Sequence, residues 1–212
     1  TNAIHVGNKP DASNGSVSPP INLTSTFAQD GIGKNKGFDY SRGTNPTRQR
    51  LEKNIASLEG GYDAIAFSSG MAATTALFQS LKQGDHVIIS RNVYGGTYRM
   101  TTQILSNHGL KFDFVNTTKV QNIKNAIRPE TKWVFIETPT NPMLEITDIK
   151  AVSQICQDHN IKFAVDNTFM SPYGQRPLDY GADCVMHSST KFIGGHSDVL
   201  GGVLVAKDKE LA

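Results

Sequence analysis

Apolar residues fall into two alternating periods from Pro46 onward and into none before it. Pro46 to Leu58 places Leu51, Ile55 and Leu58 on one helical face, and Pro46 suits a helix start. Asp63 to Ser69 reads as a buried strand, and Met71 to Leu81 as a helix with Met71, Thr75, Phe78 and Leu81 on one face. The alternation then repeats. Strands are expected at His86–Ser90, Lys111–Val115, Trp133–Glu137, Lys162–Asp166 and Cys184–His187, with a last apolar stretch from Val199 to Ala206. Helices are expected near 94–108, 119–127 and 147–159. Near-continuously apolar strands between helical segments predict an α/β fold with a mainly parallel sheet covered on both faces. Residues 1–45 carry Pro19-Pro20 and five glycines up to Gly37. They predict an extended arm, which makes sense packed on a partner subunit. Residues 46–212 then form one domain.

Composition narrows the class. A chain of 212 residues, 38% hydrophobic and 19% charged, is long enough for one large core. A net charge of +2 argues neither for nucleic acid nor for an acidic membrane surface. No apolar run approaches the roughly 18 residues that span a bilayer. Thr1 to Lys9 has no apolar stretch of the kind a signal peptide needs. The first residue is not Met, and the chain stops just after a strand, so flanking segments are expected at both ends. Cys156 and Cys184 lie in apolar segments and read as reduced, buried thiols of a cytoplasmic protein.

The candidate chemistry sits at strand ends. Ser68-Ser69-Gly70-Met71 opens a helix, where free N–H groups bind phosphate, although Ser-Gly there is also an ordinary N-cap. Asp166 ends a buried strand, an expensive place for a charge. It either caps the next turn or faces a cation such as a protonated heterocyclic nitrogen. Lys191 follows a strand within Ser188-Ser189-Thr190-Lys191 and precedes Gly194-Gly195. Alone it reads as a loop lysine or as a Schiff-base amine. A phosphate cup, a strand-end Asp and a strand-end Lys in one α/β chain match what pyridoxal phosphate requires. Tyr94, after the strand at 86–90, is placed to stack on its ring, a contact of about 0.5–1.5 kcal/mol. His187, His196 and Asp198 lack the tight spacing of metal ligands, so no metal is expected. His5, His86, His108 and His159 read as surface or structural, and Gly60-Gly61 as a helix stop.

Longer motifs carry a resemblance. Tyr40-Ser41-Arg42 with Asn45-Pro46-Thr47-Arg48, Ser69-Gly70-Met71-Ala72-Ala73, Val93-Tyr94-Gly95-Gly96-Thr97, Glu137-Thr138-Pro139-Thr140-Asn141-Pro142, Val165-Asp166-Asn167-Thr168-Phe169, and Ser188 to Lys191 with Gly195-His196-Ser197-Asp198 resemble the Cys/Met-metabolism family of pyridoxal-phosphate enzymes along the whole chain. The resemblance implies the large cofactor domain of fold-type I pyridoxal-phosphate enzymes, with a C-terminal domain beyond this chain. It implies Lys191 as the Schiff-base lysine and proton shuttle, and Asp166 as the partner of the pyridine nitrogen. It assigns the phosphate to Gly70, Met71, Ser188 and Thr190, the ring face to Tyr94 as stacking group and acid or base, and the ring hydroxyl to Asn141. Tyr40 and Arg42 would reach the phosphate of a neighbouring subunit in a homotetramer of paired dimers. Arg42, Tyr94 and Arg99 match positions near a bound amino-acid substrate.

Within that family, Gly96 stands where methionine γ-lyases have Cys, and the stretch 166–177 is most similar to cystathionine γ-lyases. Gly194 replaces the Asn often found there in those enzymes. The implied reaction is α,γ-elimination of L-cystathionine to cysteine, 2-oxobutanoate and ammonia. γ-Replacement, as in cystathionine γ-synthase or O-acetylhomoserine sulfhydrylase, is the alternative. A truncated relative that holds cofactor without catalysis is the alternative of another class. A nicotinamide dehydrogenase is excluded, since no Gly-x-Gly-x-x-Gly follows the first strand.

Overall fold

A computed structural model describes all 212 residues. Seven strands form one sheet: β1 (Asp63–Phe67), β2 (His86–Ser90), β3 (Lys111–Val115), β4 (Thr131–Glu137), β5 (Lys162–Asp166), β6 (Cys184–His187) and β7 (Gly202–Ala206). Their spatial order is β1-β7-β6-β5-β4-β2-β3. The ladders β6-β5-β4-β2-β3 are parallel, and β7 pairs antiparallel with both β6 and β1. Six strands therefore end at the same edge of the sheet.

Side chains alternate faces along each strand, and two cores form in consequence. On one face Val87, Ile89, Phe135, Ala164, Cys184 and Met186 join residues of α3 (Gly70–Gln79) and α4 (Gly95–Gln103). Phe78 of α3 meets Phe135 edge-on at 5.4 Å. On the other face Ile88, Val134, Ile136, Phe163, Val165 and Val185 pack on α2 (Pro46–Glu59), α5 (Val120–Ala126) and α6 (Ile149–Asp158). Three of these helices have a side-chain cap that fixes where they start. Asn45 caps α2 ahead of Pro46, Ser69 caps α3 by accepting from Ala72, and Asp148 caps α6 by accepting from Ala151. Gly60 ends α2 at φ 74°, in the left-handed region, as a helix stop should.

The chain runs from β2 outward to β3, then returns past β2 to β4 and on to β5 and β6. The connections leaving β2 and β4 thus diverge to opposite faces. The crevice between these two strand ends is a topological switch point, where open α/β sheets bind ligands.

Two helix faces differ from the expected ones. In α2 the buried residues are Ile55, Ala56 and Glu59, while Leu51 is 41% exposed. In α3 they are Gly70, Ala73, Thr74, Leu77 and Phe78. Met71 and Thr75 turn toward α4 instead, where Thr75 donates to the sulfur of Met100 at 2.9 Å. The expected helix at 94–108 is α4 followed by a separate 3-10 turn at Leu105–His108. Short helices at Ser171–Gly174 (α7) and Asn2–His5 (α1) lacked a periodic signal. Otherwise residues 1–45 are irregular, with one bridge between Thr26 and Tyr40. No helix is long and apolar enough to cross a membrane. Cys156 and Cys184 are free and buried, and burial pushes both thiols up to about 12.

Candidate active site

Five strand ends converge at the carboxyl edge of the sheet. β1 leads through Ser68-Ser69 into α3, whose Ser69 cap leaves the first helical N–H groups, at Gly70 and Met71, without intrahelical partners. A Cβ on Gly70 would lie 2.8 Å from the Cβ of Ser188 and 3.0 Å from its Cα. The helix start and the loop after β6 therefore touch, and only glycine permits it.

The loop after β6 is a tight turn. The Lys191 N–H donates to the Ser188 carbonyl at 3.3 Å, and the Gly195 N–H donates to the Lys191 carbonyl at 2.8 Å. Thr190 Oγ1 accepts from the Gly201 N–H at 3.1 Å, tying the turn to the start of β7. Phe192 meets Phe169 edge-on at 5.9 Å, which joins this turn to the segment after β5. Lys191 itself is exposed at the open edge.

Asp166 ends β5 and is 5% exposed. Its Oδ1 accepts from the N–H of Thr168 at 3.1 Å and from its hydroxyl at 2.6 Å. Thr168 Oγ1 in turn accepts from the Ser188 N–H at 2.8 Å. Asp166 thus does cap the next turn, but with one oxygen only; Oδ2 makes no hydrogen bond. Burial raises the pKa of this carboxyl, and the two bonds from Thr168 oppose the rise. A cation at Oδ2 would hold it ionised.

On the far side of the crevice, Tyr94 is the residue before α4, half-exposed over the site. A Cβ on Gly96 would lie 2.5 Å from the Tyr94 ring and 2.8 Å from the Met71 sulfur. Tyr94, Met71 and α4 therefore form one wall. Arg99 turns back along α4, with a guanidinium nitrogen 3.4 Å from the same kind of position on Gly95. Asn141 is exposed in the loop after β4.

Glu137 is the residue that sequence reasoning missed. It was quoted within a motif, with no role. It ends β4, 5% exposed, and its register neighbour on β5 is Asp166. Its Oε2 accepts from the Tyr94 N–H at 2.7 Å and its Oε1 from the Asn141 N–H at 3.0 Å. Burial and the negative charge of Asp166 raise its pKa to about 7. The signal available in the sequence was the one used for Asp166: an acid ending a buried strand.

Behind the site, on the other sheet face, His187 pairs with Glu59 at the end of α2, and Asn167 donates to the same Glu59 oxygen at 2.9 Å. All three are fully buried. His187, weighed above as a metal ligand, is thus committed to a carboxylate. His86 is likewise internal, with Nδ1 2.8 Å from Thr131 Oγ1.

Tyr40 and Arg42 are not brought to this edge. Arg42 lies over the Tyr40 ring at 4.8 Å, and neither makes a hydrogen bond to Lys191, Asp166 or Ser188.

Comparison with known proteins decides the family. The family model described as Cys/Met metabolism PLP-dependent enzyme matches residues 1–212. The chain belongs to this family. It is 48% identical over 211 residues to a probable cystathionine gamma-synthase of Herpetosiphon aurantiacus, covering 100% of the chain and 66% of that protein. It is 49% identical over 211 residues to a cystathionine beta-lyase of Bacillus subtilis, covering 100% of the chain and 54% of that protein. The solved structure of a cystathionine gamma-lyase from Lactobacillus plantarum, complexed with L-serine, superposes with a TM-score of 0.96 at 46% identity, over 99% of the chain and 55% of that structure. The chain thus spans about half to two-thirds of the length of these relatives. Three activities occur at nearly equal identity. The β-lyase is one that the motifs had not brought forward.

The strand-end residues fit the cofactor of a PLP-dependent enzyme. Asp166 is a buried residue whose Oδ2 is left as an acceptor with no protein partner. The Gly70–Ser188 contact leaves unpaired N–H groups beside a hydroxyl. Tyr94 and Met71 wall a crevice at the switch point.

Proposed function

We propose that this chain is the cofactor-binding part of an enzyme that cleaves the carbon–sulfur bond of L-cystathionine by α,γ-elimination. The observation that carries the reading is Asp166, a buried residue whose Oδ2 has no protein partner, on the same sheet edge as Gly70, Ser188 and Lys191. When bound, pyridoxal phosphate supplies an electron sink for charge developing at the amino acid's Cα.

The chain's own residues do the rest. The N–H groups of Gly70 and Met71, with the hydroxyls of Ser188 and Thr190, hold the phosphate. Asp166 keeps the ring nitrogen protonated, because its carboxylate gains a cation in a desolvated place. Tyr94 covers the ring face, and Asn141 stands at the ring hydroxyl. Lys191 anchors the cofactor's aldehyde carbon, and its freed amine takes the proton from Cα and moves it onward. Tyr94 serves as acid or base toward the departing sulfur. Arg99 and Arg42 attract the substrate's anionic groups. Cystathionine and one water give cysteine, 2-oxobutanoate and ammonia.

The stretch 166–177 favours γ-lyase over γ-replacement. The names of the relatives add β-elimination as a rival. Residues 1–45 form the arm that packs on a neighbouring subunit, bringing Tyr40 and Arg42 to its phosphate in a tetramer of paired dimers. Residues 46–212 form the cofactor domain.

The test is to supply L-cystathionine to the complete natural polypeptide that carries this sequence and to identify the products. Cysteine with 2-oxobutanoate is expected. Homocysteine with pyruvate would replace the γ-reading by β-elimination. Turnover only when an activated homoserine ester and a thiol are both supplied would replace it by γ-replacement.

A further inference from the structure

Glu137 occupies a costly position. It is buried, neither of its hydrogen-bond partners is a cation, and its neighbour across the ladder is another acid. Glu137 follows Phe135, and Asp166 follows Ala164, each by two residues; Phe135 and Ala164 belong to one core. Both carboxylates therefore project from the same sheet face, on strands about 4.8 Å apart. Such a pair is destabilising unless it does something a neutral residue cannot.

What a neutral residue cannot do is accept twice with two separate oxygens. A glutamine offers one carbonyl oxygen, and its NH2 faces any second N–H as donor against donor. Glu137 uses both oxygens, and its two partners lie on opposite sides of the switch-point crevice. Tyr94 belongs to the loop after β2, and Asn141 to the loop after β4. The clasp also has a fixed base. The Glu137 N–H donates to Ser90 Oγ at 3.2 Å, and Ser90 Oγ meets Thr117 Oγ1 at 3.1 Å. Thr117 Oγ1 meets Thr147 Oγ1 at 2.7 Å, and the Thr147 N–H donates to Thr138 Oγ1 at 3.0 Å. This chain of hydroxyls ties β2, β4 and the loop after β4 together beneath the crevice.

We propose that Glu137 is a positioning residue, whose two oxygens clasp the backbone of Tyr94 and Asn141 and so set the width of the crevice that receives the cofactor ring. The proposal rests on the reading of this edge as the pyridoxal-phosphate site. Glu137 touches neither cofactor nor substrate. It acts through the ring of Tyr94 and the amide of Asn141, which reach a bound ring from opposite walls only if their backbones are held. A cation at Asp166 also removes the repulsion that Glu137 suffers, so loading the site and closing the clasp favour each other.

The experiment compares wild type with Glu137→Gln in the complete natural polypeptide. It measures pyridoxal-phosphate affinity and the visible circular dichroism per bound cofactor, which reports how the ring is held. Loss of one charge-assisted bond predicts an affinity about tenfold weaker and a dichroism clearly reduced, in a protein whose far-ultraviolet spectrum is unchanged. Wild-type affinity and dichroism would overturn the proposal. A lowered melting temperature with dichroism per bound cofactor unchanged would also overturn it, because that is the signature of a merely structural residue. Should the variant not fold, amide hydrogen exchange on the wild type decides. The Tyr94 and Asn141 N–H groups are expected to be protected in cofactor-free protein and slowed further on loading; exchange of either at the rate of an open loop contradicts the clasp. Wild type that binds no pyridoxal phosphate defeats the site reading instead, and the exchange data on the cofactor-free protein still report on the clasp.

Discussion

A carboxylate at the end of a buried strand has to be answered by something, and Asp166 and Glu137 are answered differently. Asp166 has one oxygen held by Thr168 and one left for a ligand. Glu137 has both oxygens held by backbone N–H groups, yet it remains a weak acid, with its pKa raised to about 7 against an ordinary 4.5. Between those values this carboxyl holds more proton in the folded cofactor-free protein than in the unfolded chain. Its contribution to stability therefore falls as pH rises through about 4.5 to 7, by at most about 1.4 kcal/mol per pH unit for the one proton. Thermal unfolding of cofactor-stripped protein across this window should show that slope, and Glu137→Gln should flatten it. The same pH dependence in wild type and Glu137→Gln would contradict this assignment. Pyridoxal phosphate, by placing a cation at Asp166, should move the window to lower pH.

At the scale of elements, the contact between α3 and the loop after β6 leaves no room for a side chain. Gly70→Ala puts a methyl 2.8 Å from the Ser188 Cβ, so one element has to move. The expected cost is about 1–3 kcal/mol in equilibrium unfolding, accompanied by weaker cofactor binding. Ser69→Ala removes only the cap bond to Ala72, costs about 1 kcal/mol, and leaves the contact with Ser188 in place. Elements were the most legible part of this sequence. The strands β2, β3, β5 and β6 have the bounds that their apolar runs predict; for β2, β5 and β6 the reason is that a strand buried on both faces leaves little choice of register. Helix faces were less legible. Leu51 is larger than Ala56, but Ala56 and Glu59 face the core beside Ile55, since Glu59 is drawn in by His187 and Asn167. That pairing joins residues more than a hundred positions apart, and no local period reports it. The role of Glu137 was hidden in a similar way: Tyr94 lies 43 positions before it, and the clasp follows from the meeting of β2 and β4.

At the scale of the whole molecule, the N-terminal arm is the part least explained by this chain alone. It is tied down locally: Asn54 Nδ2 donates to the carbonyls of Asn2, Ala3 and Val6, and the Asn22 N–H donates to Thr47 Oγ1 at 2.9 Å. Yet Ile21 and Leu23 are 74% and 94% exposed. Large apolar residues held outward on an ordered backbone fit a surface that another subunit covers. Sedimentation of the complete polypeptide should reveal an oligomer, and Ile21→Lys with Leu23→Lys should shift it to smaller species. An unchanged sedimentation coefficient would remove the arm from the interface. The family resemblance was legible along the full length, because its motifs sit at strand ends, where the fold needs particular residues. The choice among γ-lyase, β-lyase and γ-synthase was not. The relatives that bear these names match this chain at nearly the same identity, and each is longer than this chain.

The central claim is that Lys191 carries the cofactor at an edge built by Gly70, Asp166 and Ser188. The most direct test is borohydride reduction of the protein loaded with pyridoxal phosphate, followed by proteolysis and mass mapping. The account predicts a single phosphopyridoxyl group, on the peptide containing Lys191, and none on a Lys191→Ala protein. Modification of another lysine, or of none, would contradict it.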